Sequence, residues 1–153
     1  MEEDIVKMLE NRLSFLPLEI SVLDEAPLPK GARNKKRNQY DSSHFLVLAR
    51  KRPGDKVLGI VDKDLYSKDL NFVFGQAEIY GKAAVISLAR LKGAQQLYES
   101  RVMKEAVHEL GHTLGLVHCP LYECVMHFST YVEDIDLKKS YFCTACQNML
   151  SHA

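Results

Sequence analysis

At 153 residues the chain is long enough for one domain with a real core and too short for two comfortable ones. Its 20 Lys and Arg balance its 20 Asp and Glu, so no global field argues for nucleic acid or an anionic membrane. The longest apolar runs, FLVLA and AAVISLA, are far too short to cross a bilayer.

Residues 2–13 carry Ile5, Leu9 and Leu13 at i, i+4 and i+8, which predicts an amphipathic helix. The stretch is acidic and lacks both a basic lead and a continuous apolar run, so it does not read as a secretion signal, and a soluble cytoplasmic protein is expected. LEISVL (18–23) predicts a strand, ended by a loop that Pro27, Pro29 and Gly31 mark. Lys30, Arg33, Lys35, Lys36 and Arg37 form a basic run that reads as a solvated loop. Asp41 or Ser42 would cap a helix through SSHFLVLARK, stopped at Pro53-Gly54. KVLGIVD (56–62), NFVFGQAEIY (71–80) and GKAAVISLARL (81–91) predict three further strands, rich in Val, Ile, Phe and Tyr, with Gly81 in the last connection. A helix from about Ala94 to Leu114 follows. The order β-α-β-β-β-α after the first helix implies an α/β (α+β) fold, a mixed sheet with helices packed on it.

The long helix carries the chemistry. Met103, Val107, Leu110 and Leu114 make an apolar stripe, and Arg101, Glu105, His108 and His112 repeat the same spacing on another face. One stripe can face the sheet while the other faces a cleft. His108 and His112, four apart, project from one side about one turn apart, close enough to share one zinc. Gly115 can end the helix in a conformation that a Cβ would hinder, and the chain can return His118 as third ligand. Three protein ligands leave one position for water, whose pKa zinc lowers toward 7. Glu109, beside His112, can take the water proton and pass it to a leaving amine.

All four cysteines lie in the last quarter of the chain. Cys119 and Cys124 flank PLYE, and Cys143 and Cys146 form a CxxC. The two pairs can supply four thiolates to one tetrahedral zinc, a closed and therefore structural site. A disulfide and a CxxC redox pair are the competing readings, and the redox reading leaves Cys119 and Cys124 unexplained.

HELGHTLGLVH resembles the zinc signature of the metzincin metalloproteases. Cys119, Cys124, Met126 and the later CTAC narrow the resemblance to the archaemetzincins, whose pattern is HExxHxxGxxHC, four residues, CxM, a spacer and CxxC. The stretches NQYDSS, DLYSKDLNFVFGQAE and VISLARL look similar too, so the resemblance runs from about residue 17 to 148. The spacer from Met126 to Cys143 is one residue shorter than the family pattern. The resemblance implies a metzincin-like mixed twisted sheet, an active-site helix and a small C-terminal four-cysteine zinc subsite. It also implies a Met126 turn beneath the metal and an edge strand near residues 74–80 that pairs with extended substrate.

Taken together, residues 1–153 are expected to form a single compact metalloprotease domain. Its sheet and helices occupy about 1–115, and a zinc-strapped part occupies about 116–153. Two zinc ions per chain are expected, one catalytic on His108, His112 and His118, one structural on Cys119, Cys124, Cys143 and Cys146. In an extended strap neighbouring side chains point opposite ways, so His118 would face one metal while Cys119 faces the other. The expected activity is peptide-bond hydrolysis with Glu109 as base, by a monomer acting on peptide or protein substrates, without nucleic acid or membrane partners. The alternative is a zinc-stabilised peptide-binding module with little or no turnover. Glu105 reads as an exposed helix glutamate, His127 as a surface or packed residue, and His44 and His152 as structural or exposed.

Overall fold

The alternation in AAVIS decides how the layers stack. In the computed structural model, which describes residues 2–151, β3 (Val57–Val61), β6 (Ala83–Ser87) and β5 (Gly75–Ala77) form one sheet in that order. β6 runs parallel to β3 and antiparallel to β5. Every residue of β6 is buried. Ala83 and Val85 share a core with Phe45, Leu46 and Ala49 of α2 (Ser42–Arg50). Ile86, on the opposite face, and Leu88, just past the strand, join a larger core with α3 (Gln95–Thr113). The period of two thus places one helix on each face of this strand.

The first helix, α1 (Glu2–Arg12), continues into a 3-10 turn at Leu13–Phe15. Its stripe of Ile5, Leu9 and Leu13 is buried against α3, as the spacing predicts. Each such side chain contributes about 1.5–3 kcal/mol by leaving water. Asp41 caps α2, its side chain accepting from the Ser43 amide. Gly115 adopts φ +104°, and the amides of Gly115 and Leu116 bond back to His112 O and Gly111 O, so α3 stops where expected.

Other expectations need correction. LEISVL forms no strand among the described residues: Leu18 and Ile20 lean on the core, but Val22 and Leu23 are exposed and no neighbouring strand supplies a ladder. The basic run is not only loop. It includes β1 (Arg33–Asn34), which pairs with β2 (Gln39–Asp41), and β2 in turn pairs parallel with β4 (Leu65–Tyr66). NFVFGQAEIY keeps a ladder only at Gly75–Ala77, because the chain then leaves the sheet and the Tyr80 amide bonds His112 O at the end of α3. The parallel and antiparallel pairs are therefore divided between two three-stranded sheets, linked by a bridge between Leu65 and Val73. Two short helices follow, α4 (Val132–Leu137) and α5 (Thr144–Ser151), the first within the Met126–Cys143 spacer that reads in the sequence as a loop plus a helix entry. Among the described residues no helix is long and apolar enough to cross a membrane.

Candidate active site

α3 is buried from Arg101 to Thr113, and of the stripe expected to face a cleft Glu105, His108 and His112 line one. The C-terminal segment covers the rest of that face. Arg101 holds Asp136 of α4 in a two-bonded fork at 2.8 and 2.8 Å, and Lys104 donates to Ile135 O at 3.2 Å. Glu105, read as exposed, is 3% exposed and lies 3.9 Å from the ammonium of Lys138. Lys138 is itself buried, and its hydrogen bond goes to His127 O at 2.9 Å. Nothing in DLKKS marks Lys138 as internal, since tertiary cover alone buries it. Burial raises the Glu105 pKa and lowers that of Lys138, while each charge favours the other.

His108, His112 and His118 converge. Their nearest ring nitrogens lie within 4.8 Å of one another. His108 Nδ1 is 2.7 Å from Val125 O, and His112 Nδ1 is 2.8 Å from Leu116 O. A carbonyl can only accept, so each Nδ1 carries the proton and each Nε2 keeps its lone pair for a metal. Burial, first among the causes, holds all three imidazoles below the usual histidine range and so in the neutral, ligating form. His118 is exposed toward the cleft, its ring 5.1 Å from that of Phe128. The donor set and its carbonyl partners fit a zinc ion.

These histidines line a cleft of about 490 Å³ together with Glu105, Glu109, residues 70–77 and residues 128–131. Glu109 is 4% exposed, and its pKa is raised well above the usual carboxylate range, chiefly by burial, then by the nearby Glu105, with Lys138 opposing. A dication at the histidines would pull it back down. β5, an edge strand, borders the cleft. Its Gly75 is a site residue that no sequence pattern singles out. A Cβ there would lie 2.6 Å from Val85 O and 2.8 Å from Glu109 Oε2. Gly75→Ala must therefore push β5 off the sheet or turn Glu109 aside. We expect kcat to fall at least about tenfold, since misplacing a reacting group by 1 Å costs about a hundredfold. We expect a stability loss of about 1–3 kcal/mol from the overpacking. Steady-state kinetics and thermal melts read both, and an unchanged kcat would show that this strand does not set Glu109.

The four cysteines also come together, with sulfurs within 4.8 Å of one another. Cys119 Sγ lies 3.7 Å from Cys143 Sγ, and Cys124 Sγ 3.8 Å from Cys146 Sγ. Four sulfurs at about 2.3 Å from one zinc stand about 3.8 Å apart, so the spacing fits a tetrahedral site. All four are free thiols. The amides of Met126 and Cys143 point at Cys124 Sγ from 3.4 and 3.3 Å. The Cys143 thiol is held down to about 7, first by the Cys146 backbone amide, whereas burial pushes Cys146 and Cys119 up.

The strap between the two clusters is pinned in both directions. The Cys119 amide bonds Met126 O at 3.0 Å, and His127 Nδ1 donates to Cys119 O at 2.8 Å. His127 is thus a packed strap residue. Met126 is fully buried against α3, where a Cβ on Gly111 would sit 2.5 Å from its sulfur. His44 stays at the start of α2 near Asp41, apart from both clusters, and His152 lies outside the described residues.

Residues 4–152 match the pattern of Peptidase family M54. The chain is 44% identical over 154 residues to the archaemetzincin of Methanopyrus kandleri, an alignment that spans 98% of this chain and 88% of that protein. A crystal structure of archaemetzincin from M. kandleri superposes on it with a TM-score of 0.92, covering 99% of this chain and 87% of that one. The crystal structure of the Archaeoglobus fulgidus archaemetzincin, complexed with malonate, gives 0.86 at 44% identity, covering 95% and 91%. A zinc-dependent peptidase from Methanocorpusculum labreanum gives 0.80 at 28% identity, covering 96% and 91%.

Proposed function

The chain belongs to peptidase family M54 and is a zinc metallopeptidase, and from that premise we propose that His108, His112 and His118 hold its catalytic zinc and Glu109 is its proton carrier. A second, structural zinc sits on Cys119, Cys124, Cys143 and Cys146. The observation that carries the reading is the paired carbonyls: Val125 O and Leu116 O fix the tautomer of two imidazoles whose free nitrogens meet that of His118 beside Glu109.

When bound, zinc supplies a Lewis acid and lowers the pKa of water toward 7. Glu109, ionised, accepts a proton from the attacking water and returns it to the leaving amine. Gly75 keeps that carboxylate close to β5, whose free edge can pair with an extended peptide laid along the cleft. The closed wall behind Glu109, with Lys138 against Glu105, keeps bulk water from the back of α3. One chain supplies every group the reading needs, and a monomer is the proposed working unit. Free thiols at metal spacing are the form a reducing cytoplasm maintains, and the cytoplasm is the proposed location.

Metal content measured alongside turnover of a peptide library tests the reading. Fully loaded protein should carry two zinc ions per chain and cleave peptides. One zinc with Cys143 and Cys146 reactive to alkylation would sink the four-cysteine site, and two zinc ions without any cleavage would sink the activity.

A further inference from the structure

The basic segment 30–37 belongs to none of the machinery above, yet one of its residues, Arg37, bonds to the backbone of the cleft wall. Ser67 and residues 70–74, between β4 and β5, line that cleft and lead directly into Gly75. This stretch has little backbone support between its ends: one turn bond from Leu70 N to Ser67 O at 2.9 Å, one bridge bond from Val73 N to Leu65 O at 2.9 Å, and one bond from Ser87 N to Phe74 O at 2.8 Å where it enters β5. Side chains take the carbonyls of Leu70 and Asn71. Arg37 Nη2 donates to Leu70 O at 2.9 Å and Asn71 O at 3.1 Å, and Gln39 Nε2 donates to Asn71 O at 2.8 Å. Arg90 lies 3.9 Å over the Phe72 ring.

These anchors are themselves tied into one network. Arg37 Nε donates to Gln39 Oε1 at 2.8 Å, and its guanidinium stacks 4.0 Å over Tyr66. Gln39 Nε2 also donates to Asp64 Oδ2 at 3.0 Å, and Arg90 grips the same carboxylate with bonds of 2.8 and 2.9 Å. Gln39 is 6% exposed, so its amide stays buried only because both ends are satisfied. Two planar guanidiniums and a buried amide give a geometry that a solvated loop does not need.

We infer that Arg37, Gln39 and Arg90 are positioning residues for peptide cleavage, fixing the cleft wall at residues 70–74 and so setting how tightly and where a peptide seats. The inference rests on the reading of this cleft as the peptide site. None of the three residues approaches the histidines or Glu109 in the contacts above. Their loss therefore weakens binding shared by the bound peptide and the transition state.

The test uses zinc-loaded Arg37→Ala and Arg90→Ala, with Arg37→Lys as the conservative variant and Gln39→Ala added if it folds. Hydrogen exchange over residues 68–74 should speed up in the alanine variants. KM on a peptide library should rise about three- to tenfold and the preferred cleavage sites should shift, with kcat held within about twofold. Arg37→Lys should recover part of each effect. Unchanged exchange would overturn the clamp. Faster exchange with unchanged KM and unchanged sites, or a fall in kcat at constant KM, would overturn the assignment of these residues to peptide seating. Wild-type protein that cleaves no peptide would instead sink the catalytic reading. Peptide Kd in a Glu109→Gln background would then decide the wall, because a Kd that Arg37→Ala leaves unmoved also overturns the inference.

Discussion

Glu109→Gln should abolish peptide turnover while both metal sites fill and the fold stays in place. The substitution keeps the side chain's shape against Gly75 and removes only the ability to carry a proton. Glu109 belongs to neither ligand set, so zinc stoichiometry should equal that of wild type. General acid–base catalysis contributes about 10²–10⁴-fold, and kcat should fall by that order with KM little changed. Stability gives an independent check whose sign follows from burial. In metal-free protein the native Glu109 pKa is raised, so the native state binds the proton more tightly than the unfolded chain. Stability then falls as pH rises from the ordinary glutamate value through the native one. A neutral amide escapes that loss, so the metal-free variant should melt no lower than wild type at neutral pH. Cleavage at the original rate in Glu109→Gln would remove Glu109 from the mechanism. A variant that also loses zinc would mean that its carboxylate holds the metal.

The parts of this molecule legible in the sequence are those set by local spacing. His108 and His112 are one helical turn apart whatever surrounds them, and Gly115 marks the stop because few other residues tolerate φ +104°. The cysteine pairs announce a shared ligand set by their clustering alone. What could not be read depends on cover from distant segments. Glu105 sits at a position any amphipathic pattern would expose, and only Lys138, 33 residues on, makes its burial tolerable. Gly75 looks like an ordinary strand glycine until Val85 O and Glu109 close in on it. Arg37 reads as one more charge in a basic run, since its acceptors are carbonyls of a segment about 33 residues away. LEISVL has the composition of a strand but finds no partner, and a strand is defined by its ladder.

Cys143→Ser should damage both metal sites, although Cys143 belongs to only one. Removing one thiolate opens a closed tetrahedral site, so the structural zinc should be lost or bound far more weakly. In the proposed site a zinc would hold the ends of Cys119 to Cys124 against Cys143 and Cys146, and that strap carries more than the third ligand. On one side of it Leu116 O orients His112, and on the other Val125 O orients His108. His118 is bonded directly to Cys119 in the chain, and Met126 packs under Gly111 between the two helical histidines. Slackening the strap therefore disturbs the third ligand and the partners of the first two at once. Disturbing such partners weakens metal binding about 10–100-fold, and affinity at the histidine site should fall by at least that much. Melting should drop on the order of 10 °C, as expected for a loss of about 3 kcal/mol or more in a chain of this size. His118→Ala provides the contrast. It should empty the histidine site and leave the four-cysteine zinc in place, because Cys119 stays tied to Met126 and His127 through its backbone. Coupling should thus run one way, from the cysteines to the histidines. If Cys143→Ser kept a normal melt and a normal zinc at His108, His112 and His118, the backbone bonds alone would suffice to hold the strap, and Cys119 would follow His118 for some other reason.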